Sequence, residues 1–413
     1  MKDTHKLLTI ALASRILIII VMLISSFLFM YATTEHMNIN EMKTPIIGIF
    51  MRWDSAYYLQ IAQNGYPVGY PNVKTFPNST GSGSPMPLVI ANHLWAFYPL
   101  YPAAMKALAL VFTSFLTVTS ALMLSGVIIS NISFFVSAYF FYKLTQKLFN
   151  SRIALISTAF YSFWVGAAFF SAIYTEALFM ALAIGAFYYL AENKLSRAVF
   201  LGFLASFTRS DGFLIAIPFL IYALQSMSIF KFGSTSPETP KDPKFQSVKL
   251  LISSAIVASP VLLYNIAGYF LAGGVFPVQI IAKDSNWGIY PLLTNQFAAP
   301  YCSVPSVQTF IILGLIFALM PTAYFIFSIE KVFTVESKTL GYWVFYASMA
   351  YVLFTNAIVY SVLRYAIPML PIYWVSAKIY TKKRIVGLIL FAIMTVMLII
   401  GAYLLEINSP YFM

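Results

Sequence analysis

The first apolar run of the chain indicates what kind of protein it is. From Leu7 to Ala32 it reads LLTIALASRILIIIVMLISSFLFMYA. A membrane-spanning helix needs about 20 apolar residues, whereas the apolar core of a cleaved signal peptide has only about 7–15. We therefore interpret this run as an uncleaved first span, preceded by a short N-terminus that carries Lys2 and Lys6.

The composition extends this interpretation to the whole chain. Of 413 residues, 60% are hydrophobic and 9% are charged, whereas a soluble domain has about 25% charged residues. A chain of this size cannot bury so many apolar side chains within itself. The composition therefore excludes a soluble enzyme and a disordered or fibrous chain, and it predicts an all-α polytopic membrane protein.

The net charge and the cysteine content restrict the kinds of partner and site that the chain can have. The net charge of +12 agrees with the positive-inside rule, since basic residues accumulate in the cytoplasmic loops of membrane proteins. No basic stretch is interleaved with aromatic residues, so we predict no nucleic acid partner. A single cysteine, Cys302, excludes an internal disulfide and a cysteine-rich metal site.

Apolar segments predict about eleven transmembrane helices. They lie near residues 7–32, 120–146, 151–170, 175–191, 197–208, 212–230, 248–272, 307–330, 340–360, 364–380 and 385–405. The segment 98–118 is also apolar, but a full crossing there would invert every later loop and break the positive-inside rule. We therefore place it in the outer interface and the N-terminus in the cytoplasm.

This topology divides a single membrane domain, 1–413, into loops on two sides. Residues 33–118 form a large first extracytoplasmic loop with interfacial helices, and 274–306 form a second one. Residues 231–247 form a cytoplasmic linker that contains three prolines. The chain is then an integral membrane protein, of the plasma membrane in a prokaryote or of the endoplasmic reticulum membrane in a eukaryote.

Eight of the charged residues outside the cytoplasmic loops form a candidate site, to which we add His93. They are Arg52, Asp54, Glu176, Arg209, Asp211, Lys283, Asp284 and Arg364. All eight lie at outer ends of predicted spans or in outer loops, and the other outer charges lie in contexts typical of solvated loops. Because charges near a membrane are costly unless paired or solvated, this one-sided set favours a functional site over ordinary loop charges.

Simpler roles compete for several of these residues. Asp54 begins a helical pattern, so it is either a helix N-cap or a functional carboxylate, as a general base or a metal ligand. Thr175 and Asp211 are candidate caps in the same sense, and Glu176 in a first turn favours the helix dipole. Trp95 lies in a run of aromatic residues that is also typical of an interface anchor.

Five motifs, in their order along the chain, resemble the GPI mannosyltransferase II (PIG-V) family. They are Arg52-Trp53-Asp54, Trp95-Ala96-Phe97-Tyr98-Pro99-Leu100-Tyr101-Pro102, Tyr174-Thr175-Glu176-Ala177-Leu178-Phe179, Thr208-Arg209-Ser210-Asp211-Gly212, and Arg364-Tyr365 with Pro368. The matches extend from about residue 50 to residue 370. This chain has Asp211 where the family has Asn, and His93 where better-known members have a Glu before the Trp-Ala-Phe motif.

The resemblance implies a GT-C glycosyltransferase fold and an inverting mannosyltransferase. Such an enzyme takes mannose from a polyprenyl- or dolichyl-phosphate donor on the outer or lumenal face and passes it to a lipid-linked or glycan acceptor, in contact with membrane lipid. The main alternative is a polytopic membrane transporter. It is disfavoured because proton relays need ionisable residues through the depth of the bilayer, which these spans nearly lack.

The chemistry of this reaction suggests roles for the candidate residues. The phosphate leaves already ionised, so the reaction needs a general base and cations near the phosphate. We predict Asp54 as the base and Glu176 as the alternative. We predict that three cations bind the donor phosphate: Arg209, Arg364 and Lys283. Further contacts with the substrates are predicted for Arg52, Trp53, His93, Trp95 and Asp211. No cofactor is predicted with certainty, and a divalent cation bound partly by Asp54 stays open.

Overall fold

The structure, a computed structural model, describes most of the chain and is helical throughout the part it describes. That part comprises residues 2–33, 49–51, 54–69, 88–227, 243–284, 316, 318–320, 322, 339–355 and 362–406. It contains no β-strand. The predicted all-α class is confirmed for these residues.

Fifteen helices within that part are numbered here in chain order. They are α1 (Lys2–Thr33), α2 (Ser55–Asn64), α3 (Leu88–His93), α4 (Leu100–Ala109), α5 (Val118–Leu148), α6 (Ser151–Ser162), α7 (Glu176–Ala191), α8 (Leu195–Ser206), α9 (Ala216–Ser226), α10 (Pro243–Leu271), α11 (Pro277–Asp284), α12 (Leu340–Thr355), α13 (Val362–Tyr365), α14 (Pro371–Lys382) and α15 (Arg384–Glu406). Short 3₁₀ helices occupy Leu94–Ala96, Ala167–Phe170 and Ser210–Ile215.

Four of the described helices are long and apolar enough to cross a membrane. They are α1, α5, α10 and α15. Helices α7 and α8 and the segment 210–226 are apolar but shorter. The prediction of an integral membrane protein is thereby confirmed, while the number of eleven spans stays a prediction.

Two predicted spans are interrupted by non-helical segments. The span predicted at 151–170 ends as an α-helix at Ser162, and only a 3₁₀ turn follows. The span predicted at 364–380 stops at Tyr365 and resumes at Pro371. Pro368 and Pro371 have no backbone N–H, so neither can supply the hydrogen bond that would continue the first helix.

Other boundaries also differ from the prediction. The span at 212–230 begins as a 3₁₀ helix, and α9 ends at Ser226. Helix α10 begins at Pro243, so the last residues of the predicted linker 231–247 are helical; proline is tolerated in a first turn, where its missing N–H costs nothing. The predicted span 307–330 and most of 274–306 lie outside the described residues, apart from α11 and a few positions after 315.

The ambiguous segment 98–118 contains one short helix. Helix α4 has 10 residues and is therefore about 15 Å long, half of the hydrocarbon thickness of about 30 Å. Turns follow it, with exposed Leu110, Val111 and Phe115. This length agrees with an interfacial element, although the side of the membrane stays a prediction.

The helical bundle has two chemically distinct ends. At one end Lys147 Nζ lies 2.7 Å from Glu192 Oε1, and Lys194 lies 3.5 Å from the other oxygen of Glu192. Tyr142 donates a hydrogen bond to Asp3 at the same end, which brings the N-terminus there. Helix α7 has 16 residues, so its N-terminal Glu176 lies about 24 Å away, at the opposite end.

Candidate active site

Five of the predicted site residues form one continuous charged network. Arg364 donates through Nε to Glu176 Oε1 and through a terminal nitrogen to Asp54 Oδ2. Arg209 donates to the same Glu176 oxygen and, over 3.0 Å, to Asp211 Oδ1. The order of the network is therefore Asp54, Arg364, Glu176, Arg209 and Asp211.

The network is buried and is not electrically balanced. The side chains of Glu176 and Asp211 are 2% and 6% exposed, and that of Asp54 is 15% exposed. Three carboxylates face two guanidinium groups, so one negative charge is left over. The second oxygens of Glu176 and Asp211 are buried and have no hydrogen-bond partner among the described residues.

Aromatic rings surround the two guanidinium groups. The Cζ atom of Arg364 lies 4.7 Å from the ring centroid of Tyr174, and that of Arg209 lies 5.4 Å from the centroid of Tyr365. Rings at these distances attract the cations through their negative faces. They also keep water away, which strengthens the charge interactions inside the site.

The loop between α6 and α7 positions Asp54. The backbone N–H of Asp54 donates to Tyr174 Oη over 3.2 Å, and the N–H of Ile173 donates to the carbonyl of Phe50 over 3.0 Å. Tyr58 and Thr175 share a hydrogen bond of 3.2 Å between their hydroxyls. The start of α2 is thus fixed to the turn that leads directly into Glu176.

The capping alternatives for this site are wrong. Asp54 occupies the N-cap position of α2, and Thr175 that of α7, but neither side chain makes a capping hydrogen bond. Asp211 lies inside a 3₁₀ helix and binds Arg209. The Asp54 carboxylate is directed to Arg364 instead and belongs to the charged network.

The backbone around Arg364 is fixed by the same loop. Trp164 Nε1 donates to the carbonyl of Leu363 over 3.0 Å. At Gly166 an added Cβ would lie only 2.6 Å from that carbonyl oxygen, so a side chain there would displace Leu363 and the neighbouring Arg364. The backbone just before the break after Tyr365 is therefore held in one position.

Arg209 and Asp211 are positioned by a close turn after α8. Ser206 Oγ donates to the carbonyl of Gly212 over 2.9 Å. A Cβ on Gly212 would lie 2.7 Å from the Cα of Ser206, so this approach requires glycine. The turn directs both charged side chains of Arg209 and Asp211 towards each other.

Tyr174 stays neutral at the base of the site. Burial, and then the Asp54 carboxylate, raise the pKa of the Tyr174 phenol well above its usual value, although Arg364 opposes this. The phenol oxygen accepts from the Asp54 backbone. A neutral Tyr174 leaves the charge balance of the site to the carboxylates and arginines.

Trp95 and His93 lie among aromatic rings near the network. Tyr66 stacks on Trp95 with ring centroids 4.8 Å apart, and Tyr264 donates to the Trp95 carbonyl over 2.9 Å. Trp95 therefore belongs to a separate aromatic cluster. His93 ends α3, and its ring lies 6.4 Å from that of Tyr57, one turn after Asp54.

For three other predicted site residues the structure describes no side-chain contacts. Arg52 and Trp53 lie outside the described residues, as does the side chain of Lys283. The backbone of Lys283 belongs to α11, which packs against α3 and the 3₁₀ helix after it. Their assignment to the substrate stays a prediction.

The side chains of the site do not form a typical ligand set for a divalent cation. Among the described residues no group of three or more His, Cys, Asp or Glu side chains has the arrangement of a metal site. In the network itself, guanidinium groups hold the carboxylates that a hard cation would need to converge on it. The idea of Asp54 as a metal ligand therefore finds no matching ligand set in this part of the chain.

The fold and this network define an integral membrane protein with a buried charged site at one end of its helices. Residues 90–279 match the family described as Mannosyltransferase (PIG-V), and the resemblance to that family is confirmed. This matched region contains Glu176, Arg209 and Asp211, whereas Asp54 and Arg364 lie outside it.

Known proteins similar to the chain include one curated relative and several solved structures. "GPI mannosyltransferase 2" of Drosophila pseudoobscura pseudoobscura is 26% identical over 260 residues, which cover 56% of this chain and 51% of that protein. The chain thus spans about half the length of this relative. An oligosaccharyltransferase of Archaeoglobus fulgidus, in complex with an inhibitory peptide and a dolichol-phosphate, is 14% identical with a TM-score of 0.46.

A second structure of the Archaeoglobus fulgidus oligosaccharyltransferase, tethered with an acceptor peptide, is 13% identical with a TM-score of 0.43. The two alignments cover 95% and 96% of this chain and 55% of each archaeal chain.

Proposed function

We propose that the chain is an inverting mannosyltransferase. It takes mannose from a polyprenyl- or dolichyl-phosphate donor and transfers it to a hydroxyl of a lipid-linked or glycan acceptor. The reaction takes place at the end of the bundle that carries Glu176, on the extracytoplasmic or lumenal face. The protein has a GT-C fold in this proposal.

The observation that carries the proposal is the Asp54–Arg364–Glu176–Arg209 network. A phosphate-sugar transferase needs a carboxylate to take a proton and cations to stabilise the leaving phosphate, both in a water-poor site. Asp54 and Arg364 supply these two groups in direct contact. The family match supports mannose as the sugar.

The reaction step follows from these groups. The acceptor hydroxyl oxygen attacks the anomeric carbon of mannose, and its proton goes to the Asp54 carboxylate. The bond between that carbon and the phosphate oxygen breaks, and its electron pair leaves with the lipid phosphate. Attack from the face opposite the phosphate inverts the anomeric centre, as in inverting glycosidases.

The donor must first release Asp54 from Arg364. The Asp54 Oδ2 atom accepts a hydrogen bond from Arg364, so this oxygen is not free to take a proton from the acceptor while the contact lasts. The donor phosphate is the competing anion, because a planar guanidinium binds phosphate as well as carboxylate. Donor binding thus frees the base and neutralises the phosphate in one rearrangement.

The buried oxygens of the network suit the sugar. Glu176 Oε2 and Asp211 Oδ2 are acceptors with no partner among the described residues, and leaving such groups unpaired is costly. Hydroxyl groups of mannose are donors of the required kind. The other substrate contacts in this proposal are Arg52, Trp53, His93, Trp95 and Lys283.

The test is transfer of radiolabelled mannose from a polyprenyl-phosphate donor by the purified full chain. Wild-type protein should produce a mannosylated lipid or glycan, and an Asp54→Asn variant should not. An acceptor lacking one hexose, collected from cells without this protein, is the substrate of choice. Absence of transfer by correctly folded wild-type protein overturns the proposal, and uptake of solute by reconstituted vesicles would then favour a transporter.

A further inference from the structure

Arg15 is a buried cation in the middle of the apolar helix α1. Its residue is 3% exposed, and among the described residues no carboxylate pairs with it. A charged side chain at this depth of a membrane helix is costly and is found where it has a function. The proposed reaction makes no use of Arg15, and it lies on a different element from every site residue.

The guanidinium of Arg15 is held by the loop between α6 and α7. One terminal nitrogen donates to the Ala167 carbonyl over 2.9 Å and to Ser171 Oγ over 3.0 Å. Its Cζ lies 3.9 Å from the ring centroid of Phe134 on α5. Ser171 in turn donates to Asn131 Oδ1, also on α5, over 3.0 Å.

This loop is the part of the chain that positions the site. Residues 163–175 form turns and a 3₁₀ helix, so their carbonyls are not all used by a regular helix. The loop holds Leu363 through Trp164, and it holds Asp54 through Tyr174. It ends at Glu176, the carboxylate that both arginines of the network share.

We infer that Arg15 is a positioning residue for the Glu176 carboxylate. Arg15 holds the loop 163–175 against α1 and α5. Glu176, which follows this loop, therefore keeps its Oε1 atom between Arg209 and Arg364. Several donors in one rigid plane can bind a carbonyl and a hydroxyl at once. The inference rests on the proposed function, because its effect is measured as mannose transfer.

The central experiment compares Arg15→Met with Ser25→Ala in the full-length chain. Ser25 lies on the same helix, is buried, and donates only within α1, to the Val21 carbonyl over 2.6 Å. Turnover is measured per active site, counted by bound donor lipid, and the KM for the donor is measured separately. Arg15→Met should lower kcat roughly 10- to 100-fold, since small displacements of reacting groups cost rate on this scale. Ser25→Ala should leave kcat within about twofold.

Two further variants connect the effect to the contact. Arg15→Lys keeps a donor at this position and should recover part of kcat, though not all, because ammonium lacks the planar fork. Ser171→Ala should lower kcat by less than Arg15→Met. The double variant should be less slow than the product of the two single losses, because both changes remove the contact between Arg15 and Ser171, and only the hydrogen bond from Ser171 to Asn131 is a separate loss.

A purely structural role gives a different result. In that case Arg15→Met lowers the amount of folded protein, while kcat per active site stays within about twofold of wild type, and this overturns the inference.

Hydrogen exchange separates this inference from the proposed function. Arg15→Met should speed amide exchange in residues 163–175 and leave α7 beyond its first turn protected. Wild-type protein that transfers no mannose overturns the proposed function alone, and unchanged exchange in 163–175 overturns the positioning role.

Discussion

Arg364 and Asp54 lie 310 positions apart in the chain, and the guanidinium of one donates a hydrogen bond of 2.5 Å to the carboxylate of the other. This contact connects the start of α2 to α13, just before the break between α13 and α14. It also joins the proposed base to a proposed phosphate-binding group. The exchange of one anion for another at Arg364 is therefore the central event in the proposed reaction.

Replacing Asp54 by Asn removes the base but keeps its size. We expect kcat to fall by about 10²–10⁴-fold, which is the usual contribution of a general base. The donor should still bind and its KM should not rise, since the phosphate contacts remain and a neutral Asn competes less than the Asp54 carboxylate for Arg364. Single-turnover transfer from radiolabelled donor measures this, with bound donor as a check on folding. Near-normal turnover in Asp54→Asn would remove Asp54 from the chemistry.

Lysine replacements test whether Arg209 and Arg364 bind the donor phosphate. Ammonium is a point charge without the planar fork, so Arg209→Lys and Arg364→Lys should raise the donor KM roughly 10-fold or more. The acceptor KM should stay close to that of wild type. Arg197→Lys is the matched control, because Arg197 is exposed near the opposite end of the bundle. Equal kinetics in all three variants would show that these arginines do not contact the donor.

Asp211 tests the assignment of a sugar hydroxyl. If its free oxygen accepts from mannose, Asp211→Asn should slow transfer of the normal donor by roughly 10-fold, from the loss of a charged hydrogen bond. With a deoxymannose donor that lacks this hydroxyl, the same variant should cause little further loss. The comparison uses single-deoxy donors at each ring position. Equal losses with every donor would mean that Asp211 acts only through Arg209.

Two glutamates at opposite ends of α7 provide a stability comparison. Glu176 is buried and shared by two arginines, whereas Glu192 is 26% exposed and contacts two lysines. Removing one member of a buried charge network costs roughly 3–5 kcal/mol, and losing an exposed pair about 0–1 kcal/mol. Thermal unfolding in detergent should therefore show a much lower midpoint for Glu176→Gln than for Glu192→Gln. Similar midpoints would contradict the buried network.

Sequence alone could predict which residues are unusual, but not how they pair. Asp54, Glu176, Arg209 and Arg364 stand out because apolar chains contain few charges, and the positive-inside rule places them at one end. Their mutual contacts depend on tertiary packing across distant segments, which no local pattern contains. The prolines at 368 and 371 similarly indicate an interrupted span beside Arg364, but not which distant side chains meet at the interruption.

Tyr174 and Arg15 are the clearest omissions. Tyr174 falls within a recognised motif, yet its contact with the Asp54 backbone is made through a phenol that looks like any interfacial aromatic residue. Arg15 is visible in the first span as a lone charge. Only the packing of α1 against the loop before α7 gives it a partner. A charge inside a span was the available signal for such a role.

The two ends of the bundle allow a direct test of sidedness. In a chain whose Cys302 is replaced by Ser, a cysteine is placed at Val68, which is exposed and follows α2, or at Ser196, which is exposed near Glu192. The proposed extracytoplasmic site predicts that a membrane-impermeant maleimide labels Val68→Cys in intact cells. It should label Ser196→Cys only after permeabilisation, because the basic residues at that end belong inside. Each variant must retain mannose transfer, so that labelling reports the native topology. The reverse labelling pattern would place the site at the cytoplasmic surface. It would then exclude a lipid-phosphate donor that is bound from the outer face.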